Sequence, residues 1–289
     1  MEMREGKVKC LSAAGFHHMA YVEWGDPANP KVLVCVHGLT RCSRDFDFFA
    51  RAMADDYRVV CPDVVGRGRS DWLRNKSLYV IPQYCADMTT LLAKLDVETV
   101  HWLGTSMGGL IGMGLASQPE TPITRLVLND VGPVITAASL ERIGTYLGQA
   151  PRFDSIEQAE AFVRFVSAPF GTFSDEQWRH LTAHVTRTGA DGKVEFAYDP
   201  DIAQSFKEAF ATSGGKDVEL WPLYDGITCP TLLLRGETSD LLPHEAALQM
   251  GQRGPRARLI EVSGVGHAPM LMADAQVAPV REFLLGSSK

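Results

Sequence analysis

The run Gly104-Thr105-Ser106-Met107-Gly108-Gly109 places one serine with a glycine two residues away on either side. A strand-like stretch, 99–103, precedes it and a helix-like stretch, 106–117, follows. On such a strand-to-helix turn the serine is held in a strained backbone conformation, and the glycines let neighbouring chain approach without clashing. The hydroxyl is thereby pushed out beyond the sheet. A chain with 26 glycines produces this bare pattern by chance often enough that its context has to decide. A serine hydroxyl is a poor nucleophile at neutral pH, so it needs a base within hydrogen-bond reach and a third group that orients the base. Gly264-Val265-Gly266-His267 follows the last strand-like run and offers the base, and Gly236-Glu237-Thr238-Ser239-Asp240 follows the run before it and offers the acid. Ser106, Asp240 and His267 are the expected nucleophile, orienting acid and base. Acyl transfer also requires donors aimed at the developing oxyanion. The backbone N–H groups of Met107, at a helix N-terminus, and of Leu39, in His37-Gly38-Leu39-Thr40, are the candidates.

Three loops distant in sequence converge only if one scaffold brings their strands together. Short β-branched or leucine-rich runs recur at 31–36, 57–61, 99–103, 124–129, 231–235 and 258–262. They lack polar alternation, as strands covered on both faces do. Helix-length segments follow most of them, at 43–54, 81–95, 106–117, 243–251 and 273–285, which is the pattern of a parallel sheet with helices on both sides. In such a sheet the carboxyl ends of the strands face one way. The start differs: 7–13 and 17–24 flank Ala14-Gly15-Phe16 and predict an antiparallel hairpin. From Gly132 to about Asp225 the rhythm stops, and helix-like stretches at 140–147, 155–165, 175–186 and 202–210 are broken by proline and glycine. This aromatic-rich insertion divides the chain into a core first part, 1–132, an insertion, 133–225, and a core second part, 226–289. Most of its aromatic residues should pack it against the core, while Tyr146, Phe165 and Trp178 are candidates to line a substrate pocket, joined by Arg41 beside the Leu39 loop.

With these residues in place the chain resembles the α/β-hydrolases over nearly its whole length. The resemblance rests on the Gly-x-Ser-x-Gly turn, the Ser, Asp, His order, His37-Gly38, Pro62-Asp63-Val64-Val65-Gly66-Arg67-Gly68-Arg69-Ser70, Gly236 to Asp240 and Gly266-His267. It implies a mostly parallel sheet of about eight strands with helices on both faces, a helical cap inserted after strand six, and acyl transfer beneath that cap. Asp240 lies in the loop the family usually employs for its acid; Asp130, which also ends a strand, is the alternative that a few relatives use. Asp63, Arg67 and Ser70 look like a turn network, and His37 a brace for the oxyanion loop. Relatives that dehalogenate or open epoxides carry aspartate at the nucleophile position, so the serine here disfavours those chemistries.

The expected activity is a cofactor-free serine hydrolase of carboxylic esters, with carbon–carbon bond hydrolysis of ring-cleavage products, lactone opening, or a slow-turnover ligand receptor as alternatives. Twenty-eight basic against thirty-five acidic residues give a formal charge of -7 and a pI near 5.6, the wrong sign for gripping nucleic acid. No apolar run approaches the roughly 20 residues that cross a bilayer, and no signal peptide is written at the N-terminus. Six cysteines without a close pair read as reduced thiols, so a cytoplasmic protein with a small-molecule substrate is expected, and a homodimer stays open. His180 and His184 have the i, i+4 spacing of two metal ligands, but no third ligand accompanies them in sequence, so no metal is expected. No glycine-rich nucleotide motif is complete, so no nucleotide cofactor is expected.

Overall fold

All five residues of Val32–Val36 are buried, and so are all six of Thr231–Gly236, so neither run has a polar face to offer water. Strands of this kind need layers on both sides. The computed structural model describes residues 2–286 and places both runs inside one eight-stranded sheet, each with a strand on either side. In chain order its strands are β1 (Arg4–Ser12), β2 (Gly15–Trp24), β3 (Val32–Val36), β4 (Arg58–Pro62), β5 (Val100–Thr105), β6 (Ile123–Asn129), β7 (Thr231–Gly236) and β8 (Arg258–Val262). They lie side by side as β1-β2-β4-β3-β5-β6-β7-β8. The pairs β1/β2 and β2/β4 are antiparallel; every pair from β4 to β8 is parallel. The expected hairpin and the mostly parallel sheet are both present.

Side chains alternate across the sheet and build two cores. Val32, Val34, Val36, Trp102, Leu126, Leu128 and Leu233 face one way, covered by α2 (Ile81–Leu95) and α3 (Met107–Ala116). Leu33, Cys35, Leu103, Val127, Leu232 and Leu234 face the other, covered by α1 (Asp47–Met53) and by the C-terminal helix Asp274–Leu285. The expected helix at 43–54 begins as a 3₁₀ turn, Ser43–Phe46, before α1.

Between β6 and β7 the chain leaves the sheet for the insertion, with helices α4 (Ala137–Tyr146), α5 (Ile156–Val166), α6 (Asp175–Val185), α7 (Ile202–Ser213) and α8 (Trp221–Asp225). Serine and threonine side chains start three of them: Thr136 and Ser155 accept from the backbone N–H three residues on, and Ser174 with Gln177 forms a capping box on α6. The insertion is not purely helical. Arg152–Phe153, Val194–Phe196 and Thr186–Thr188 form a small antiparallel sheet, and Val134–Ile135 pairs with Val218–Glu219 where the chain enters and leaves. That last pair ties the neck of the insertion shut with main-chain hydrogen bonds. After β7 come α9 (His244–Met250), β8 and α10 (Asp274–Leu285). Among the described residues no helix is long and apolar enough to cross a membrane.

Candidate active site

Ser106 stands between β5 and α3 with φ 52° and ψ −115°, a left-handed conformation that L side chains rarely adopt. Its backbone N–H donates to the Asn129 carbonyl at 3.0 Å, which fixes the turn against the end of β6. Two glycines make the turn sterically possible. A Cβ on Gly104 would come within 2.2 Å of the Gly108 carbonyl oxygen, and one on Gly108 within 2.0 Å of that of Val36. Helix and strands therefore approach more closely than any side chain would allow.

His267 follows β8 and brings Nε2 to 3.0 Å from Ser106 Oγ. Its Nδ1 stands 2.7 Å from Oδ2 of Asp130. Asp130 ends β6 with φ 55° and is fully buried. Three donors converge on its carboxylate: the imidazole Nδ1–H and the Ser239 hydroxyl, the latter at 2.6 Å, on Oδ2, and the Gly236 N–H at 2.9 Å on Oδ1. A buried carboxylate so surrounded is suited to hold an imidazole in one tautomer.

The expected acid, Asp240, is not there. Its side chain is 58% exposed and pairs with Arg142 of α4, Nε to Oδ2, at 2.8 Å. The reason lies in the turn after β7. Glu237 and Thr238 donate their N–H groups to Val262 and Val265, and Ser239 donates to Gly236. That turn aims the Ser239 hydroxyl inward at Asp130, and Asp240 leaves on the outer side. The sequence favours Asp240 over Asp130 and gives no sign of Ser239, because the Asp130–Ser239 link forms only once β6 and β7 pair.

The oxyanion-loop candidates lie beside the serine. A Cβ on Gly38 would be 3.7 Å from Ser106 Cβ and 3.7 Å from Arg41 Cγ. Met107 is the first residue of α3, where backbone N–H groups have no intrahelical partner. His37 is buried, and burial pushes its pKa down to about 4, so the ring is neutral. Its Nε2 accepts from Val64 N–H at 2.9 Å, which leaves Nδ1–H to donate to Gly38 O at 2.7 Å. The histidine thus braces this loop against the loop after β4.

Residues 31–273 match the α/β hydrolase fold family. The chain belongs to that family. It is similar to the 3-hydroxybutyrate-oligomer hydrolase of Cupriavidus necator, 50% identical over 290 aligned positions and 98% of both chains. Among solved structures it is similar to a putative hydrolase from Rickettsia typhi, with TM-score 0.90, 31% identity and full coverage of both chains. An α/β hydrolase from Novosphingobium aromaticivorans is also similar, with TM-score 0.85, 34% identity and 98% of each chain covered. This α/β-hydrolase family member is a hydrolase.

The aromatic residues singled out in the insertion fare differently. Phe165 is 80% exposed on α5 and faces solvent. Trp178 is buried against Phe173, edge to face at 4.9 Å, in a cluster with Val163, Leu181, Val185, Cys42 and Met270, and its role there is packing. Tyr146 is half-exposed on α4, near the Arg142–Asp240 pair. The insertion instead reaches the site through Ala168–Phe170. The Pro169 carbonyl accepts the Gly266 N–H at 2.6 Å, beside His267, and the Phe170 ring lies 5.6 Å beneath the guanidinium of Arg41. Pro-Phe-Gly at a short turn was the only sequence signal for this contact. Arg41 forms a two-point ion pair with Asp45, at 2.8 and 2.7 Å.

Proposed function

We propose that this α/β hydrolase cleaves the ester bonds of short 3-hydroxyacid oligomers, with Ser106 as nucleophile, His267 as general base and Asp130 as the acid that orients it. The observation that carries this reading is the unbroken chain of contacts from hydroxyl to imidazole to buried carboxylate. Ser106 Oγ attacks the ester carbonyl while His267 Nε2 takes its proton. The tetrahedral intermediate's oxygen receives hydrogen bonds from the N–H groups of Leu39 and Met107; removing one such donor commonly costs about 100- to 1000-fold in rate. Collapse expels the alcohol, which takes the proton back from His267, and leaves an acyl-serine. Water, deprotonated by the same imidazole, then releases the acid and restores the hydroxyl.

The oligomer preference draws its support from the half-identical relative named for hydrolysis of 3-hydroxybutyrate oligomers. The insertion, 133–225, acts as a cap whose Ala168–Phe170 turn forms one wall, and Arg41 above Phe170 contacts the substrate. With 3-hydroxybutyrate trimer as substrate, Ser106→Ala is expected to lower release of 3-hydroxybutyrate by at least about 10⁴-fold and to abolish labelling by a serine-directed phosphonate. Labelling that persists in the variant contradicts the assignment. Hydrolysis of p-nitrophenyl butyrate without cleavage of the trimer contradicts the oligomer preference alone.

A further inference from the structure

His180 and His184 lie one turn apart on α6, with ring centroids 4.5 Å apart, and the folded chain brings them a third ligand that their sequence neighbourhood lacks. Asp47, the first residue of α1, is fully buried beside them. One ligand atom from each of the three residues lies within 4.8 Å of the others. The carboxylate is used on one side only. Arg44 reaches Oδ2 through Nε at 2.7 Å and through a terminal nitrogen at 2.6 Å, whereas Oδ1 is buried without a hydrogen-bond partner. Leaving a buried carboxylate oxygen unpaired is costly, and a cation recovers that cost. His180 has Nε2 at 3.0 Å from the Arg44 carbonyl oxygen and 3.4 Å from Asp47 Oδ2.

We propose that Asp47, His180 and His184 form a binding site for a divalent transition metal, of which Zn²⁺ is the natural probe, joining α6 of the insertion to α1 of the core. Two imidazoles and a carboxylate suit zinc, nickel or copper rather than calcium or magnesium, which favour oxygen ligands throughout. Zinc–ligand bonds of about 2.0–2.1 Å set tetrahedral ligands roughly 3.3 Å apart, so the side chains draw inward from their present spacing. Arg44 stays on Oδ2, and the carboxylate then bridges guanidinium and metal, fixed in orientation by its outer partner. Water completes the coordination. The site shares no residue with Ser106, Asp130 and His267, so its role is to cross-link. α1 follows the loop of Leu39 and Arg41, and an ion here pins the insertion to the segment that carries that loop.

The test uses the full chain, treated with chelator and titrated with ZnCl₂ against a chromophoric zinc indicator, with Co²⁺ absorption as a second probe of coordination. Wild-type protein is expected to take up about one zinc per chain. His184→Ala and His180→Ala should each weaken binding at least tenfold, and the double variant should lose it along with the visible Co²⁺ bands. Zn²⁺ should raise the thermal midpoint of the wild type and leave that of the double variant unmoved. Wild-type binding no tighter than that of the double variant overturns the proposal. Because Asp47→Asn also weakens the Arg44 pair, the histidine variants decide the matter. They leave metal-free ester hydrolysis unchanged, so failure here is distinguishable from failure of the catalytic assignment.

Discussion

Arg67 has no solvent exposure, yet its guanidinium satisfies most of its donors within one small volume. Nε donates to the Leu39 carbonyl at 2.8 Å, one terminal nitrogen donates to Val65 O at 2.8 Å and Tyr84 OH at 2.9 Å, and the other approaches Met107 Sδ at 3.5 Å. It therefore grips both residues whose N–H groups are proposed to hold the oxyanion. Lysine gathers its donors on one nitrogen at the end of a flexible stem and cannot span partners that here meet three separate nitrogens of a rigid plane. Arg67→Lys is expected to lower kcat on an ester about 10- to 100-fold while KM changes little, because the oxyanion donors act in the transition state. If kcat holds within twofold while the thermal midpoint drops, the arginine serves stability alone. Sequence reasoning saw this residue as part of a turn network, because nothing in its spacing reveals which carbonyl it will meet. That Ser106 and His267 meet was legible, since a strained turn and a glycine-loosened loop each leave a local pattern. The choice between Asp130 and Asp240 was not. Both follow strands that end at the same sheet edge, and what separates them appears only in the fold: the burial of Asp130, the three donors on its carboxylate, and the Arg142 pair that holds Asp240 outside.

Elements with a strong periodic or apolar signal were read correctly in kind. The β8 range of 258–262 and the α2 range of 81–95 agree with the structure to the residue, and other core elements shift by a few residues at their ends. Buried parallel strands declare themselves by uninterrupted apolar residues bounded by turns. The insertion's strands did not, because two or three residues cannot show a period. Val194–Phe196 exists through partners on both sides, Arg152–Phe153 and Thr186–Thr188, and not through its own propensity. Such pairing is a tertiary effect on local structure. The same holds for Ala168–Phe170, a single 3₁₀ turn whose position beside His267 depends on the Pro169–Gly266 hydrogen bond.

At the scale of the molecule, buried and half-buried histidines link stability to pH. Burial is the leading cause that pushes His37, His101 and His184 down to about 4, against an ordinary value near 6.5. Between those limits the unfolded chain binds protons that the folded chain refuses, so stability rises with pH and is lost as pH falls from about 6.5 toward 4. The thermal midpoint is expected to fall steadily from pH 7 to pH 5, and less so in His37→Gln; a midpoint constant over that interval contradicts the neutral buried assignment. The proposed catalysis depends on one further property of the whole fold, that strands β5 and β6 and the loop after β8 end at a common edge. The most direct test of this account compares kcat of Asp130→Asn and Asp240→Asn on one ester, with folding checked by circular dichroism. Asp130→Asn should lose about 10³- to 10⁴-fold, and Asp240→Asn should change by less than about threefold. A severe loss in Asp240→Asn with near-normal turnover in Asp130→Asn would contradict the Asp130 assignment.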